Sequence, residues 1–127
     1  MGFAADSFRV SSADGRNFTL LDAVAFTAAS GEIITIPAGA QSDGASTPPE
    51  VWPLIPPFGK YWRAAYLHDF LYRYTTRPKA ECDRLLLEAM ASLGVGEVER
   101  YTIFEAVNRF GQAAFDGDRA ARGKAEG

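Results

Sequence analysis

The stretch "YWRAAYLHDFLY", residues 61–72, carries the only histidine of the chain, directly followed by an aspartate and surrounded by aromatic residues. Its apolar positions recur at helical spacing, so it reads as an amphipathic helix that continues to about residue 75. On that helix Tyr61, Ala65, His68 and Tyr72 fall at i, i+4, i+7 and i+11 and share one face. Asp69 points about 100° away, toward the side of Tyr66, Trp62 and Arg73. His68 and Asp69 therefore cannot form a facing pair, and each needs a partner from another element.

The following segment supplies one. "TTRPKAECDRLLLEAMASLG", residues 75–94, predicts a second helix, with Thr75 or Thr76 as cap, Pro78 in the first turn and Gly94 at the end. Asp83 lies at its apolar boundary beside Leu86, Leu87 and Met90. The short connection makes the two helices antiparallel neighbours, which brings the Asp83 carboxylate within reach of a His68 ring nitrogen. Such a bond fixes the tautomer, raises the basicity of the ring and leaves the other nitrogen for a proton, a metal or a loop carbonyl. "GEVERYTIFEAVNRFGQAAF", residues 96–115, predicts a third helix, with Val98, Ile103, Val107, Phe110 and Ala114 near one face. The remainder, residues 116–127, is small and charged and reads as a flexible tail on a single domain of residues 1–115.

Upstream the periodicity changes. "SFRVSS" (7–12) alternates, "ADGR" (13–16) holds an Asp-Gly turn, and "NFTLLDAVAFTAA" (17–29) and "IITIPAG" (33–39) are strand material separated by "SGE". Three or four antiparallel strands are expected. Between strands and helices lies "AQSDGASTPPEVWPLIPPFGK", residues 40–60, with five of the seven prolines. Proline excludes both helix interior and central strand, so this is a long loop, pinned to the core by Trp52, Leu54, Ile55 and Phe58. Strands followed by helices without alternation define an α+β fold: a small N-terminal antiparallel sheet, a Pro-rich loop, then three α-helices.

Composition narrows the function classes. The chain has 127 residues, 47% hydrophobic and 23% charged, with net charge −3. No basic stripe points to nucleic acid. No apolar run reaches the roughly 20 residues of a membrane span, and "MGFAADSFRV" has no secretory-signal pattern, so synthesis in a cytoplasm is expected. The single cysteine, Cys82, excludes an internal disulfide and a multi-cysteine zinc site. Within "SDGASTP", residues 42–48, Asp43-Gly44 forms a turn, and Ser46 with the neighbouring hydroxyls suits capping, a cation or a nucleophile beside a base. If this loop covers the first helix, Asp43, Ser46, His68 and Asp69 meet.

The ordered set of an Asp-Gly-Ala-Ser-x-Pro loop (43–48), a Trp-Pro run (52–53), Gly-x-Tyr (59–61), Ala-Ala-x-x-His-Asp-x-Leu-Tyr (64–72) and Asp83 resembles a small domain family of tailed bacteriophages and prophages. The resemblance spans about residues 30–112. It implies a phage or prophage origin among tail and lysis genes, and no particular activity. "HDFLY" separately resembles the His-Asp-x-x-Tyr of secreted phospholipases A2. That likeness implies His68 as general base, Asp69 as calcium ligand, and Tyr72 and Asp83 as supports, with "SDGAST" in place of a calcium loop. The chain departs from that pattern in lacking the flanking half-cystine and all disulfides, and in placing Asp83 closer in sequence.

Three functions are expected from these readings, the third being a small cytoplasmic host-modulating protein, a folded monomer absent from purified particles. The first is a phage-encoded virion accessory protein, a tail-associated structural or assembly component made in the host cytoplasm and incorporated in the particle. Its polar cluster would hold a contact surface of Trp52, Phe58, Ser46 and Tyr61 against other virion proteins or a second copy of itself. The second is a cell-envelope hydrolase, esterase- or phospholipase-like or directed at peptidoglycan. It would use His68, Asp83 and Tyr72, with a divalent cation such as calcium at Asp43 and Asp69. The first two separate on one point. Catalysis requires His68 to reach a solvent-open pocket, and a structural joint requires it buried and bonded at both nitrogens.

Overall fold

The computed structural model describes residues 1–4, 8–14, 17–42 and 61–126, with side chains to residue 120. Gly15 of the expected Asp-Gly turn and nearly all of the Pro-rich loop, including Asp43, Ser46, Trp52 and Phe58, lie outside the described residues.

Short strands come first: β1 (Gly2–Phe3), β2 (Val10–Ser11), β3 (Phe18–Leu20), β4 (Val24–Thr27), β5 (Ile33–Ile36) and β6 (Gln41–Ser42). Helices follow: α1 (Tyr61–Tyr74), α2 (Lys79–Ser92), α3 (Glu97–Phe110) and α4 (Gln112–Glu126). The fold is α+β, as expected. The strands form two three-stranded antiparallel sheets, ordered β1-β4-β5 and β2-β3-β6. The split arises inside the segment 17–29, which reads as continuous strand material. There Leu21 N–H bonds back to Arg9 O at 2.9 Å and exposed Asp22 meets the Arg9 guanidinium, so the chain leaves one sheet before entering the other.

Period-two alternation sets the inner face of the β4–β5 pair. Val24 and Phe26 of β4 oppose Ile36 and Ile34 of β5, and all four are buried, whereas Ile33 points outward. Leu67 and Leu71 of α1, Leu85, Leu86 and Met90 of α2, and Ile103 and Val107 of α3 complete the core. The Tyr66 hydroxyl ties α1 to the second sheet through the carbonyls of Ala40 at 2.7 Å and Phe18 at 3.0 Å.

Two helical expectations are corrected. Val98 and Phe110 do not join the inward face of α3, being 83% and 55% exposed. A step of five residues from 98 to 103 takes Val98 off the 3.6-residue stripe, whereas Phe110 is in phase with Ile103 and Val107 but is the last residue of the helix; only Ile103 and Val107 of α3 are fully buried. A fourth helix takes residues 112–115 from the expected third helix and continues through residues that read as tail. It docks through Phe115, whose ring meets Tyr72 edge-on at 5.1 Å, and through Arg119. Among the described residues no helix is long and apolar enough to cross a membrane.

Candidate functional site

The site is assembled by one turn of α1 and one turn of α2. His68 and Tyr72 stand four residues apart, one above the other on the same side of α1. The short link of residues 75–78 then returns the chain so that α2 packs on that side. Pro78 occupies the N-cap position of α2 in extended conformation and supplies no side-chain cap. Thr75 serves α1 instead, its hydroxyl donating to Leu71 O at 2.6 Å.

Asp83 is the centre. His68 Nε2 lies 2.7 Å from its Oδ1, and the Tyr72 hydroxyl donates to the same oxygen at 2.6 Å. Lys79 Nζ donates to Oδ2 at 2.7 Å, and also to the carbonyls of Val107 at 3.1 Å and Asn108 at 3.2 Å at the end of α3. His68 and Asp83 are both fully buried. The Tyr72 ring packs against the imidazole with centroids 4.1 Å apart.

Burial alone pushes the Asp83 carboxyl up, but the hydrogen bonds from His68, Lys79 and Tyr72 outweigh it and hold the group below the usual carboxylate range. Burial pushes the His68 imidazole down, and the opposing bond and charge of Asp83 do not overcome it. An ionised carboxylate can only accept, so the neutral ring carries its proton on Nε2 and donates to Asp83. Nδ1 is then a bare acceptor, and among the described residues it has no hydrogen-bond partner. Burial, reinforced by Asp83, pushes the Tyr72 hydroxyl up, so it stays a donor.

Asp69 turns away from this group, as its helical position requires. It is buried, and its Oδ1 lies 3.7 Å from Arg73 Nε, which is also 3.6 Å from Asp118 Oδ1 on α4. Arg73 is thus a charge partner of Asp69. Among the described residues no group of three or more His, Cys, Asp or Glu side chains could hold a metal ion. Asp43, the other residue of the expected cation pair, lies outside the described residues. Tyr61 is buried within the core. Cys82 is buried as well, its thiol pushed up to about 11 mainly by burial, which makes it a poor nucleophile. Two surface hollows, one around Tyr101 and Phe110 and one between Pro37–Ala40 and Phe70 with Tyr74, contain neither His68 nor Asp83.

The sequence reading brings together His68, Tyr72 and Asp83 and misses Lys79 and Arg119. Lys79 stands four residues before Asp83, a spacing that marks an ion pair along one helix. Arg119 donates to the carbonyls of Tyr72 at 2.8 Å and Leu71 at 3.3 Å, closing the end of α1 from a segment whose composition carries no such signal.

The fold and this site define a small α+β domain built around a buried carboxylate–imidazole–phenol cluster. The chain belongs to the family described as protein of unknown function (DUF1353), which matches residues 18–107. No curated protein and no solved structure matches the chain significantly.

Proposed function

We propose that the protein is a hydrolase acting on a carboxylic ester or amide of the bacterial cell envelope, with His68 as general base. One observation carries the reading: Asp83, itself held by the Tyr72 hydroxyl, fixes a neutral imidazole through Nε2, and among the described residues Nδ1 has no hydrogen-bond partner. A buried acceptor with no bond costs about 1–3 kcal/mol. A joint selected for stability alone would satisfy that nitrogen. A base has to keep it bare.

In this mechanism a water proton passes to Nδ1 while the water oxygen attacks the carbonyl carbon. The bond to the leaving alcohol or amine then breaks, and the proton on Nδ1 passes to the leaving group. Asp83 stabilises the imidazolium formed between the two steps, and Tyr72 keeps the carboxylate oriented. These are the roles that the His-Asp-x-x-Tyr resemblance implies. His68 is buried and neither surface hollow reaches it, so the solvent-open pocket that catalysis requires is not met in this conformation and turnover requires the site to open. No step is routed through a cation.

The complete burial of His68 favours a second reading, a structural accessory protein of a phage tail in which the cluster welds α1 to α2. Both readings take their biological setting from the resemblance to phage domains. The test is hydrolysis of phospholipid vesicles, short-chain acyl esters and isolated peptidoglycan, with calcium and with chelator. His68→Gln keeps a donor for Asp83 and removes the base. The expected result is turnover that falls at least about 100-fold in H68Q, in line with loss of a general base. Equal rates for the wild type and H68Q on all three substrates would sink the hydrolase. Peptides of this chain in purified phage particles would then support the accessory reading.

A further inference from the structure

We infer that Lys79 is the positioning residue of the His68–Asp83 pair. Its ammonium, fixed on the second oxygen of Asp83, keeps the carboxylate ionised, holds the imidazole proton on Nε2 and leaves Nδ1 as the basic atom. The inference deepens the general-base reading and rests on it for its meaning, but its geometry stands independently.

Asp83 is fully buried. Its Oδ1 is served by two groups without charge, the neutral imidazole and the Tyr72 phenol. Hydrogen bonds alone rarely sustain a buried carboxylate, and a counter-charge is the usual requirement. Lys79 supplies it at 2.7 Å on Oδ2. The ammonium is itself tied down. Its three N–H donors meet three acceptors: Asp83 Oδ2, Val107 O and Asn108 O. The two carbonyls belong to the C-terminal end of α3, where the helix dipole adds negative potential. Lys79 has a side chain only 12% exposed, unlike a solvated partner on a helix surface.

Without this charge the proton would move. Among the described residues, the other ionisable groups packed around the pair are Tyr72 from α1, Cys82 from α2, and Asp118 and Arg119 from α4, with Arg73 beside Asp118. Arg73 and Arg119 already serve Asp118 and the end of α1 respectively. Loss of Lys79 therefore leaves His68 as the group best placed to neutralise Asp83, by taking a second proton on Nδ1. The base would be spent before substrate arrived. A lysine acting only as a stabilising pair along α2 would leave the imidazole unaffected.

The chain has one histidine, so imidazole signals in a long-range proton–nitrogen NMR spectrum of the full-length protein need no assignment. In the wild type the proton is expected on Nε2 at neutral pH. In Lys79→Met the midpoint for protonating His68 should rise by at least one pH unit, a tenfold gain in proton affinity, and Lys79→Arg should restore wild-type behaviour. A folded K79M with an unmoved midpoint overturns the inference, as does a K79R shift as large as that of K79M. If K79M does not fold, Lys79→Gln replaces it with the same expectation. The wild-type spectrum is decisive by itself in one direction, since Nδ1 carrying the proton at neutral pH overturns the assignment. These measurements need no turnover. Absence of hydrolysis would leave the Lys79 result standing, and an unmoved midpoint would leave the hydrolase without this residue.

Discussion

A neutral imidazole held inside the protein ties stability to pH through a single residue. The folded-state pKa of His68 lies below its ordinary value of 6.5, so below that pH the unfolded chain binds a proton that the folded chain refuses. Stability therefore falls as pH drops below about 6.5, with a limiting slope of about 1.4 kcal/mol per unit. Asp83 has the same sign in a lower window. Its contribution is present above the ordinary value of 3.8 and is lost as pH falls through the depressed folded value. Urea unfolding between pH 5 and pH 7 should show the His68 slope in the wild type and its absence in H68Q. Two neighbours bear on the same carboxylate. Tyr72→Phe removes the 2.6 Å donor to Asp83 and should cost about 2 kcal/mol, the usual range for a hydrogen bond to a charged group. A Cβ added at Gly111 would lie 2.5 Å from Val107 O and 3.4 Å from the Tyr72 hydroxyl. Gly111→Ala should therefore destabilise the protein by about 1–3 kcal/mol in thermal or urea unfolding, because the near atom is backbone and does not yield easily.

At the scale of elements, what can be read in advance depends on whether the partner is local. The end of α2 is local. Gly94 takes φ 79°, its N–H bonds Ala91 O, and Val95 N–H bonds Met90 O, with Val95 and Met90 both buried. A glycine after an apolar helical run announces this stop, and Gly94→Ala should weaken it by about 1 kcal/mol by forcing a left-handed alanine. The meeting of His68 and Tyr72 with Asp83 is nearly local too, since helical spacing and a short link bring the three together. Lys79 is legible only in part. Its spacing from Asp83 is visible, but its inward turn depends on the carbonyls of Val107 and Asn108, which only the packing of α3 provides. The break between β3 and β4 is illegible for a related reason. Nothing in "NFTLLDAVAF" marks Leu21–Asp22 as a change of sheet until Arg9 is known to stand opposite. The exposed residues of α3 show the limit of counting apolar residues, because Val98 misses the buried stripe and Phe110 lies on it only at the exposed last residue of the helix.

For the whole molecule, α4 decides whether the cluster has a closed back wall. Its sequence is small and charged, and by composition it belongs to solvent. Two residues four apart reverse that reading. Phe115 sets its ring edge against Tyr72, the tyrosine that donates to Asp83, and its backbone N–H donates to Gly111 O at 3.0 Å. Arg119 covers the Phe115 ring, with its guanidinium carbon 4.5 Å from the centroid, and donates to the carbonyls of Leu71, Tyr72 and Arg77. Those carbonyls close α1 and begin the link to α2, so one side chain holds the joint that places His68 against Asp83. Helix ends left without partners are costly when shielded from water, and a charged donor to several carbonyls is worth about 2 kcal/mol or more. Arg119→Ala should thus lower stability by about that amount while leaving α4 helical. A chain ended after residue 111 should lose more, since it also removes the Phe115 contact on Tyr72. Amide hydrogen exchange locates the effect: in both variants protection should fall first at the C-terminal turn of α1 and the start of α2, ahead of β4 and β5. Uniform loss across both sheets and all helices would show instead that α4 contributes only to global stability and does not brace the site.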